Sequence, residues 1–200
     1  MKIGIFGGSF NPIHNSHIQL CEAASNSLGL DRLILIPTGD NTLKEEWGAT
    51  RSQRLEMTRI AAAAHPDWEV SSIEVNREGT SYTVDTINEL KKTMDGDFFF
   101  ISGSDILFSL IKWKKIHQLA KQTWFVVAAR RGVDNSRMYS VSQELNMSLG
   151  AGIVLIEDYL IDEMSSTFIR KTVSTGGNIE EYVPAGIAEY IRRNGLYLDA

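Results

Sequence analysis

Five short apolar runs, separated by polar or helix-like segments, constrain the fold of this chain more than any other sequence feature. Apolar runs of this length without polar alternation are typical of strands buried on both faces of a sheet. Helices between such strands favour parallel pairing, because a parallel connection needs a crossover. The runs cover residues 2–6, 32–36, 98–101, 124–129 and 152–156.

The intervening helices are indicated by apolar spacing and by helix-breaking residues. Over 17–28, Ile18, Cys21 and Ala24 recur at helical spacing, and Gly29 follows as a stop. The same reasoning predicts an extended stretch over 68–76 and helices over 51–64, 83–94, 165–175 and 184–194. We therefore expect an α/β fold, a doubly wound parallel sheet of five or six strands with helices on both faces. A small helical C-terminal part would cover about 160–200.

Composition narrows the class of protein. A length of 200 residues with 43% hydrophobic residues suits a single domain over 1–200. The net charge of −5 argues against a general nucleic-acid binder, which usually carries a basic surplus. Cys21 is the sole cysteine, which excludes an intrachain disulfide, and no signal peptide is recognisable, so we expect a cytoplasmic protein. No apolar run reaches the ~18 residues of a membrane span.

The loop after the first predicted strand carries the strongest chemical signal. Gly7 and Gly8 would let a ligand approach main-chain N–H groups closely, and a helix N-terminus nearby attracts phosphate. His14 and His17 are three residues apart, so both rings would lie on one face and donate hydrogen bonds to phosphate oxygens. In sheets of this type, ligands bind beyond the carboxyl ends of the strands. A phosphate-handling site is therefore expected here.

Zinc is an alternative for the same two histidines. A zinc site needs a third or fourth ligand, and only His65 and His117 remain as histidines, both in helix-like or helix-end contexts. We therefore expect no metal held directly by the protein.

The whole loop, Gly7-Gly8-Ser9-Phe10-Asn11-Pro12-Ile13-His14-Asn15-Ser16-His17, resembles a known signature. It is similar to the (H/T)xGH motif of the nucleotidyltransferase superfamily, in the form typical of bacterial nicotinate-nucleotide adenylyltransferases. The resemblance implies a Rossmann-like fold and ATP as a substrate, with Mg²⁺ carried by the ATP phosphates. It also implies that Gly7, Gly8, Ser9 and Phe10 bind ATP and that His14 and His17 are catalytic groups at its phosphates. Ser16 stands where the family has glycine.

A second string near the C-terminus, Met164-Ser165-Ser166-Thr167-Phe168-Ile169-Arg170, indicates another anion site. Ser165 or Ser166 would cap a helix, and Arg170 would return to the face of Ser166 and Thr167. Hydroxyls, helix N–H groups and a guanidinium together suit phosphate. The string resembles the family motif ISSTxIR, which implies that Ser166, Thr167 and Arg170 bind ATP, with Arg170 also catalytic.

The segment Gly79-Thr80-Ser81-Tyr82-Thr83-Val84-Asp85-Thr86 lies at a predicted helix start. Ser81 and Thr83 are good capping residues. The segment resembles the family's (P/G)xSYTxDT element, which holds the nicotinate carboxylate mostly through main-chain amides. The resemblance thus implies that Ser81, Tyr82, Thr83 and Thr86 bind the mononucleotide.

Four further positions extend the resemblance. Gly103 and Asp105 follow a buried strand and match an element that contacts ATP, where Asp105 would accept ribose hydroxyls. Trp113 is flanked by lysines, so the sequence alone leaves open whether it lies in the core or on the surface. It matches a family tryptophan that stacks on the pyridine ring. Arg130 and Lys44 match basic residues near the mononucleotide.

The sequence thus predicts adenylyl transfer from ATP to nicotinate mononucleotide. Two other acceptors stay open, nicotinamide mononucleotide and phosphopantetheine. Ser16 and Leu43, which stands where the family has histidine, leave open a nucleotide-binding protein with lost or weak catalysis. Oligomeric state is also open, a homo-oligomer included.

Overall fold

The computed structural model of the chain describes residues 1–39, 48–130, 134–150, 152–161 and 164–199. Strands and helices alternate along these ranges. The strands are β1 (Lys2–Gly8), β2 (Arg32–Pro37), β3 (Trp68–Val70), β4 (Asp97–Gly103), β5 (Trp124–Arg130) and β6 (Ile153–Ile161). The helices are α1 (Asn15–Leu28), α2 (Arg51–Ala62), α3 (Thr83–Leu90), α4 (Ser104–Leu107), α5 (Ile116–Ala120), α6 (Asn135–Leu149), α7 (Ser166–Ser174) and α8 (Ile187–Arg193).

The described strands form one sheet in the order β3-β2-β1-β4-β5-β6. The pairs β1–β4, β4–β5 and β5–β6 are parallel, with Ile3 opposite Phe98 and Phe100 opposite Phe125. These apolar residues are fully or almost fully buried, as the unalternating runs predicted. The predicted doubly wound parallel sheet is therefore confirmed, and its sixth strand is the short β3.

Several element boundaries differ from the predictions. The extended stretch expected over 68–76 forms a strand only as far as Val70, after which the chain turns. Helix α3 ends at Leu90 rather than near 94, and α8 begins at Ile187, three residues after Pro184. Helix α6 was not predicted at all. Along the described ranges, none of the helices has the length and apolar character needed to cross a membrane.

The chain divides into two compact units, each built from non-consecutive segments. The first unit comprises Met1–Gly7, Gln19–Ile34 and Tyr82–Glu163. The second unit comprises Gly8–Ile18, Leu35–Ser81 and Met164–Ala200. In the first unit, α5 packs against both α3 and α6. In the second unit, α8 packs against α2. No observation tests whether 1–200 act as a single domain, so that statement stays a prediction.

Candidate active site

Residues 8–17, called the histidine loop below, run from the last residue of β1 into the first turn of α1. Phe10 adopts a positive φ of 45° and is almost completely buried, so tight packing stabilises a backbone conformation that is rare for a large side chain. A Cβ at Gly8 would lie 2.7 Å from the Phe10 ring, which explains the glycine at this position. The edge of the Phe10 ring meets His17, with ring centroids 5.3 Å apart. The buried Phe10 ring thus gives His17 an apolar packing partner within the loop.

His14 and His17 lie face to face. Their ring centroids are 3.6 Å apart and their planes differ by 28°, which confirms the expected common face. The main-chain N–H of His14 donates to Nδ1 of His17 over 3.1 Å. An Nδ1 that accepts a hydrogen bond carries no proton, so the neutral His17 ring holds its proton on Nε2. His17 therefore presents a donor at Nε2, as a phosphate contact requires.

Helix α7 begins with the cap that the sequence predicted. Ser165 is the N-cap residue, and its Oγ accepts a hydrogen bond from the main-chain N–H of Phe168 at 3.1 Å. This bond satisfies one of the orphan N–H groups of the first turn and leaves the others for a ligand or water. The predicted role of this helix start as an anion site is compatible with that geometry.

Helix α7 is bonded directly to the histidine loop within the second unit. The Ser166 hydroxyl donates to the carbonyl oxygen of Pro12 at 2.9 Å, and Arg170 Nη1 donates to that of Asn11 at 2.8 Å. Arg170 Nη2 also donates to Thr167 Oγ1 at 3.2 Å, which places both side chains on one helix face as predicted. Two motifs more than 150 residues apart in sequence therefore meet at one place.

Arg54 on α2 is a structural residue of this site that the sequence analysis missed. It is only 7% exposed, and its guanidinium donates to the carbonyl oxygens of Ser9, Thr38 and Gly39 at 2.7–3.0 Å. Burial lowers the pKa of Arg54 from its ordinary value. A signal was present, because Arg54 shares a helical spacing with the buried residues Thr58 and Ala61.

Gly39 packs too closely for any side chain. A Cβ there would lie 2.5 Å from the main-chain carbonyl oxygen of Glu74, so only glycine fits without a backbone shift. The Gly39 carbonyl oxygen also accepts a hydrogen bond from Arg54, so this residue is fixed by α2 as well as by its close packing on Glu74. Lys44 and Leu43, in the segment that follows, lie outside the described residues.

The start of α3 differs from the prediction. The N-cap residue is Tyr82, and no side chain caps the helix, so the capping roles predicted for Ser81 and Thr83 are wrong. Ser81 Oγ is buried and has no hydrogen-bond partner among the described residues. Lys114 Nζ lies 3.5 Å from the centroid of the Tyr82 ring, a cation–π contact, while Thr86 is buried. The Tyr82 side chain does not cap the first N–H groups of α3, and a helix start of this kind would stabilise an anionic group.

Among the other candidate residues of the first unit, Gly103, Asp105 and Arg130 lie at the ends of strands or just beyond them, whereas Trp113 lies between α4 and α5. Gly103 ends β4 and is the N-cap residue of α4, and Asp105 is exposed in the first turn of that helix. Trp113 is half-buried, with its ring edge-on to Phe100 at 5.4 Å, so it is neither fully core nor fully surface. Arg130 ends β5, and only its backbone is described.

Within the ranges that the structure describes, no group of three or more His, Cys, Asp and Glu residues is arranged to hold a metal ion. That the protein holds no metal directly stays a prediction from the sequence.

Comparison with known proteins adds evidence from outside the chain. Residues 5–172 match the family described as Cytidylyltransferase-like. The protein named probable nicotinate-nucleotide adenylyltransferase from Neisseria meningitidis serogroup B is 35% identical over 201 residues, which cover 98% of each chain. The protein of the same name from Lachnoclostridium phytofermentans is 36% identical over 199 residues, covering 98% of this chain and 99% of its own.

Solved structures agree on the fold. The chain resembles Plasmodium falciparum nicotinic acid mononucleotide adenylyltransferase complexed with APC, with a TM-score of 0.79 over 98% of this chain and 96% of that one. The complex of the same enzyme with NaAD gives a TM-score of 0.76, covering 98% of this chain and 97% of that one. Sequence identity is 20% in both cases, so this likeness concerns the fold alone.

Proposed function

Because this chain belongs to the nicotinate-nucleotide adenylyltransferase family, we propose that it transfers the adenylyl group of ATP to nicotinate mononucleotide. The products are nicotinate adenine dinucleotide and pyrophosphate, a step of NAD biosynthesis. One observation carries the proposal: Arg170 of α7 donates to the main-chain carbonyl of Asn11, in the same loop that holds the stacked pair of His14 and His17.

The reaction is an in-line displacement at phosphorus. A phosphate oxygen of nicotinate mononucleotide bonds to the α-phosphorus of ATP, and the bond from that phosphorus to the α–β bridging oxygen breaks. Pyrophosphate takes the bonding electron pair. We assign no general base, because the attacking phosphate is already anionic near neutral pH. The protein therefore contributes mainly positioning and stabilisation of charge.

We assign the triphosphate to the second unit. His17 donates from Nε2 to a phosphate oxygen, and His14 supports the same negative charge. Thr167 and Arg170 hold the β- and γ-phosphates, assisted by the free N–H groups at the start of α7 and the Ser166 hydroxyl. The remaining ATP contacts are assigned to Gly7, Gly8, Ser9, Phe10, Gly103 and Asp105.

ATP enters as its magnesium complex. Mg²⁺ prefers oxygen ligands and keeps several waters, so phosphate oxygens of ATP and water would complete its coordination. When bound, the ion would neutralise negative charge on the phosphates. The protein residues grip the phosphates, not the ion.

We assign the mononucleotide to the residues around the start of α3. The uncapped first turn after Tyr82, with Thr83 and Thr86, receives the nicotinate carboxylate, and Trp113 stacks on the pyridine ring. Ser81, Arg130 and Lys44 complete this set. We place the enzyme in the cytoplasm and treat 1–200 as a single domain that acts on small molecules, not nucleic acid.

The test is product formation with ATP and each acceptor in turn. We expect nicotinate mononucleotide to give the highest kcat/KM, ahead of nicotinamide mononucleotide and phosphopantetheine. An equal or greater rate with phosphopantetheine would overturn the acceptor. Calorimetry that detects ATP binding, together with no pyrophosphate release in the presence of nicotinate mononucleotide, would instead establish a binding protein without catalysis.

A further inference from the structure

Tyr197 is a buried tyrosine that lies 186 residues from the loop it contacts. It is 6% exposed, and its hydroxyl lies 2.7 Å from Oδ1 of Asn11 in the histidine loop. Its backbone has a φ of 64°, a conformation that a tyrosine adopts only when surrounding packing stabilises it. Both observations indicate that this side chain is held in one specific place.

The direction of this hydrogen bond follows from a second one. Oδ1 of Asn11 also accepts from the main-chain N–H of Ala49 at 3.1 Å. A main-chain N–H only donates, so this Asn11 atom is the amide oxygen, and Tyr197 is the donor to it. A Cβ at Gly48 would overlap the Asn11 amide group, so the chain approaches it closely on that side too. The Asn11 side chain is thus fixed by the C-terminal segment and by residues 48–49.

The main chain of Asn11 in turn contacts Arg170, one of the proposed phosphate ligands. Its main-chain carbonyl accepts from Arg170 Nη1 at 2.8 Å, and Arg170 Nη2 continues to Thr167 Oγ1. Arg170 is thereby oriented by an atom of the residue that Tyr197 holds. Burial raises the pKa of the Tyr197 hydroxyl well above its ordinary value, against the smaller opposing effect of Arg170 and Arg54, so it stays a donor at neutral pH.

We propose that Tyr197 is a positioning residue for adenylyl transfer, which acts through Asn11 to orient Arg170 toward the ATP phosphates. This inference rests on the proposed function. Tyr197 has no assigned contact with either substrate, and its effect is specific to the nucleotide triphosphate. The Tyr197→Phe variant removes only the donor and keeps the buried ring, so it isolates the hydrogen bond from the packing.

The experiment compares Tyr197→Phe with Tyr190→Phe as a matched control. Tyr190 lies on α8, is half-buried, and is assigned no contact with either substrate. For Tyr197→Phe we expect the KM for ATP to rise about tenfold, because the loop loses one buried hydrogen bond that orients Arg170. The KM for nicotinate mononucleotide should stay within twofold of wild type. Tyr190→Phe should leave both values within twofold.

A double-mutant cycle separates positioning from a general loss of stability. In an Arg170→Ala background, Tyr197→Phe should change the KM for ATP by less than twofold, since the group it orients is gone. A KM for ATP within twofold of wild type in the single variant would overturn the proposal, whatever its melting temperature. A tenfold rise in the KM for ATP caused by Tyr197→Phe in the Arg170→Ala background would also overturn it.

Calorimetry with ATP distinguishes this proposal from the proposed function. If wild-type protein binds ATP but forms no product, the proposed function fails, and a tenfold weaker Kd in Tyr197→Phe still supports the positioning role. An unchanged Kd would overturn that role. Wild-type protein that does not bind ATP would overturn both.

Discussion

At the scale of single atoms, Nδ1 of His17 is occupied by the main-chain N–H of His14, which leaves Nε2 as the donor. We expect His17→Ala to lower kcat by about 100-fold or more, because it removes a donor that stabilises charge in the transition state. Steady-state kinetics with ATP and nicotinate mononucleotide measures this. His17→Gln should retain more activity than His17→Asn, since its amide nitrogen reaches the position of Nε2.

His117→Ala is the matched control for that substitution. His117 is exposed on α5 and is assigned no contact with either substrate, so its loss should leave kcat unchanged. A fall in kcat of less than about threefold for His17→Ala would refute the catalytic role of His17.

The Arg54 guanidinium donates hydrogen bonds to three neutral main-chain carbonyl oxygens. Arg54→Met would leave three acceptors without their donor, so we expect the free energy of unfolding to fall by about 3 kcal/mol or more. Urea denaturation measures this. Arg59→Met on the same helix removes an exposed arginine that pairs with Glu56, and should change stability by no more than about 0.5 kcal/mol. Equal losses in the two variants would contradict this role of Arg54.

At the scale of elements, helix α7 depends on its Ser165 cap. Ser165→Ala should lower the free energy of unfolding by about 1 kcal/mol, because the Phe168 N–H loses its acceptor. Ser165→Asp keeps an acceptor and should preserve stability, yet it places a negative charge beside the proposed phosphate ligands. We therefore expect Ser165→Asp to raise the KM for ATP. Urea denaturation and kinetics on both variants separate the two effects.

Asp134, which caps α6 by accepting from the Ser136 N–H at 2.9 Å, provides the comparison. Asp134→Ala should cost a similar amount of stability without changing the KM for ATP. Tighter ATP binding in Ser165→Asp would contradict the placement of phosphate at α7.

The elements differ in how far the sequence predicted them. Strands β1, β2, β4 and β5 were predictable, because each is a continuous apolar run that only a sheet buried on both faces accommodates. Helix α6 was missed, since only four of its 15 residues are buried and its sequence is largely polar. The length of β3 was overestimated, because the chain turns after Val70 and such a turn does not depend on the apolar pattern.

The site was predictable only where contacts are local or where a motif carries them. The cap at Ser165 and the pairing of Thr167 with Arg170 follow from helical spacing. The bonds that Asn11 forms with Tyr197 and Arg170 do not, because no periodicity links residues 159 and 186 positions apart. Tertiary contacts of this kind appear only in the folded chain.

At the scale of the whole molecule, Cys21 couples stability to pH. It is 0% exposed, and burial, reinforced by Glu22, raises its pKa well above the ordinary value of 9.0. The unfolded chain therefore releases this proton at a lower pH than the folded one, so stability is fully present below about pH 9 and declines above it. We expect a loss approaching 1.4 kcal/mol per pH unit from Cys21 at alkaline pH, measured by urea denaturation.

Cys21→Ala should show a shallower decline over the same alkaline range, although its stability at pH 7 will be lower. Tyr197, whose pKa is also raised, adds a similar decline at higher pH, so the slope should not vanish. Identical slopes for wild type and Cys21→Ala would contradict the assignment to this thiol.

The bonds between the histidine loop and α7 have a consequence for synthesis of the protein. Ser166 and Arg170 are 154 and 159 residues from their partners Pro12 and Asn11. The ribosome therefore releases the histidine loop long before the residues that fix it exist as peptide. A nascent chain carries both histidines before it carries Arg170, and its proposed triphosphate site is complete only after α7 and Tyr197 have been synthesised. We therefore expect catalytic competence to arise late in synthesis rather than to grow with chain length.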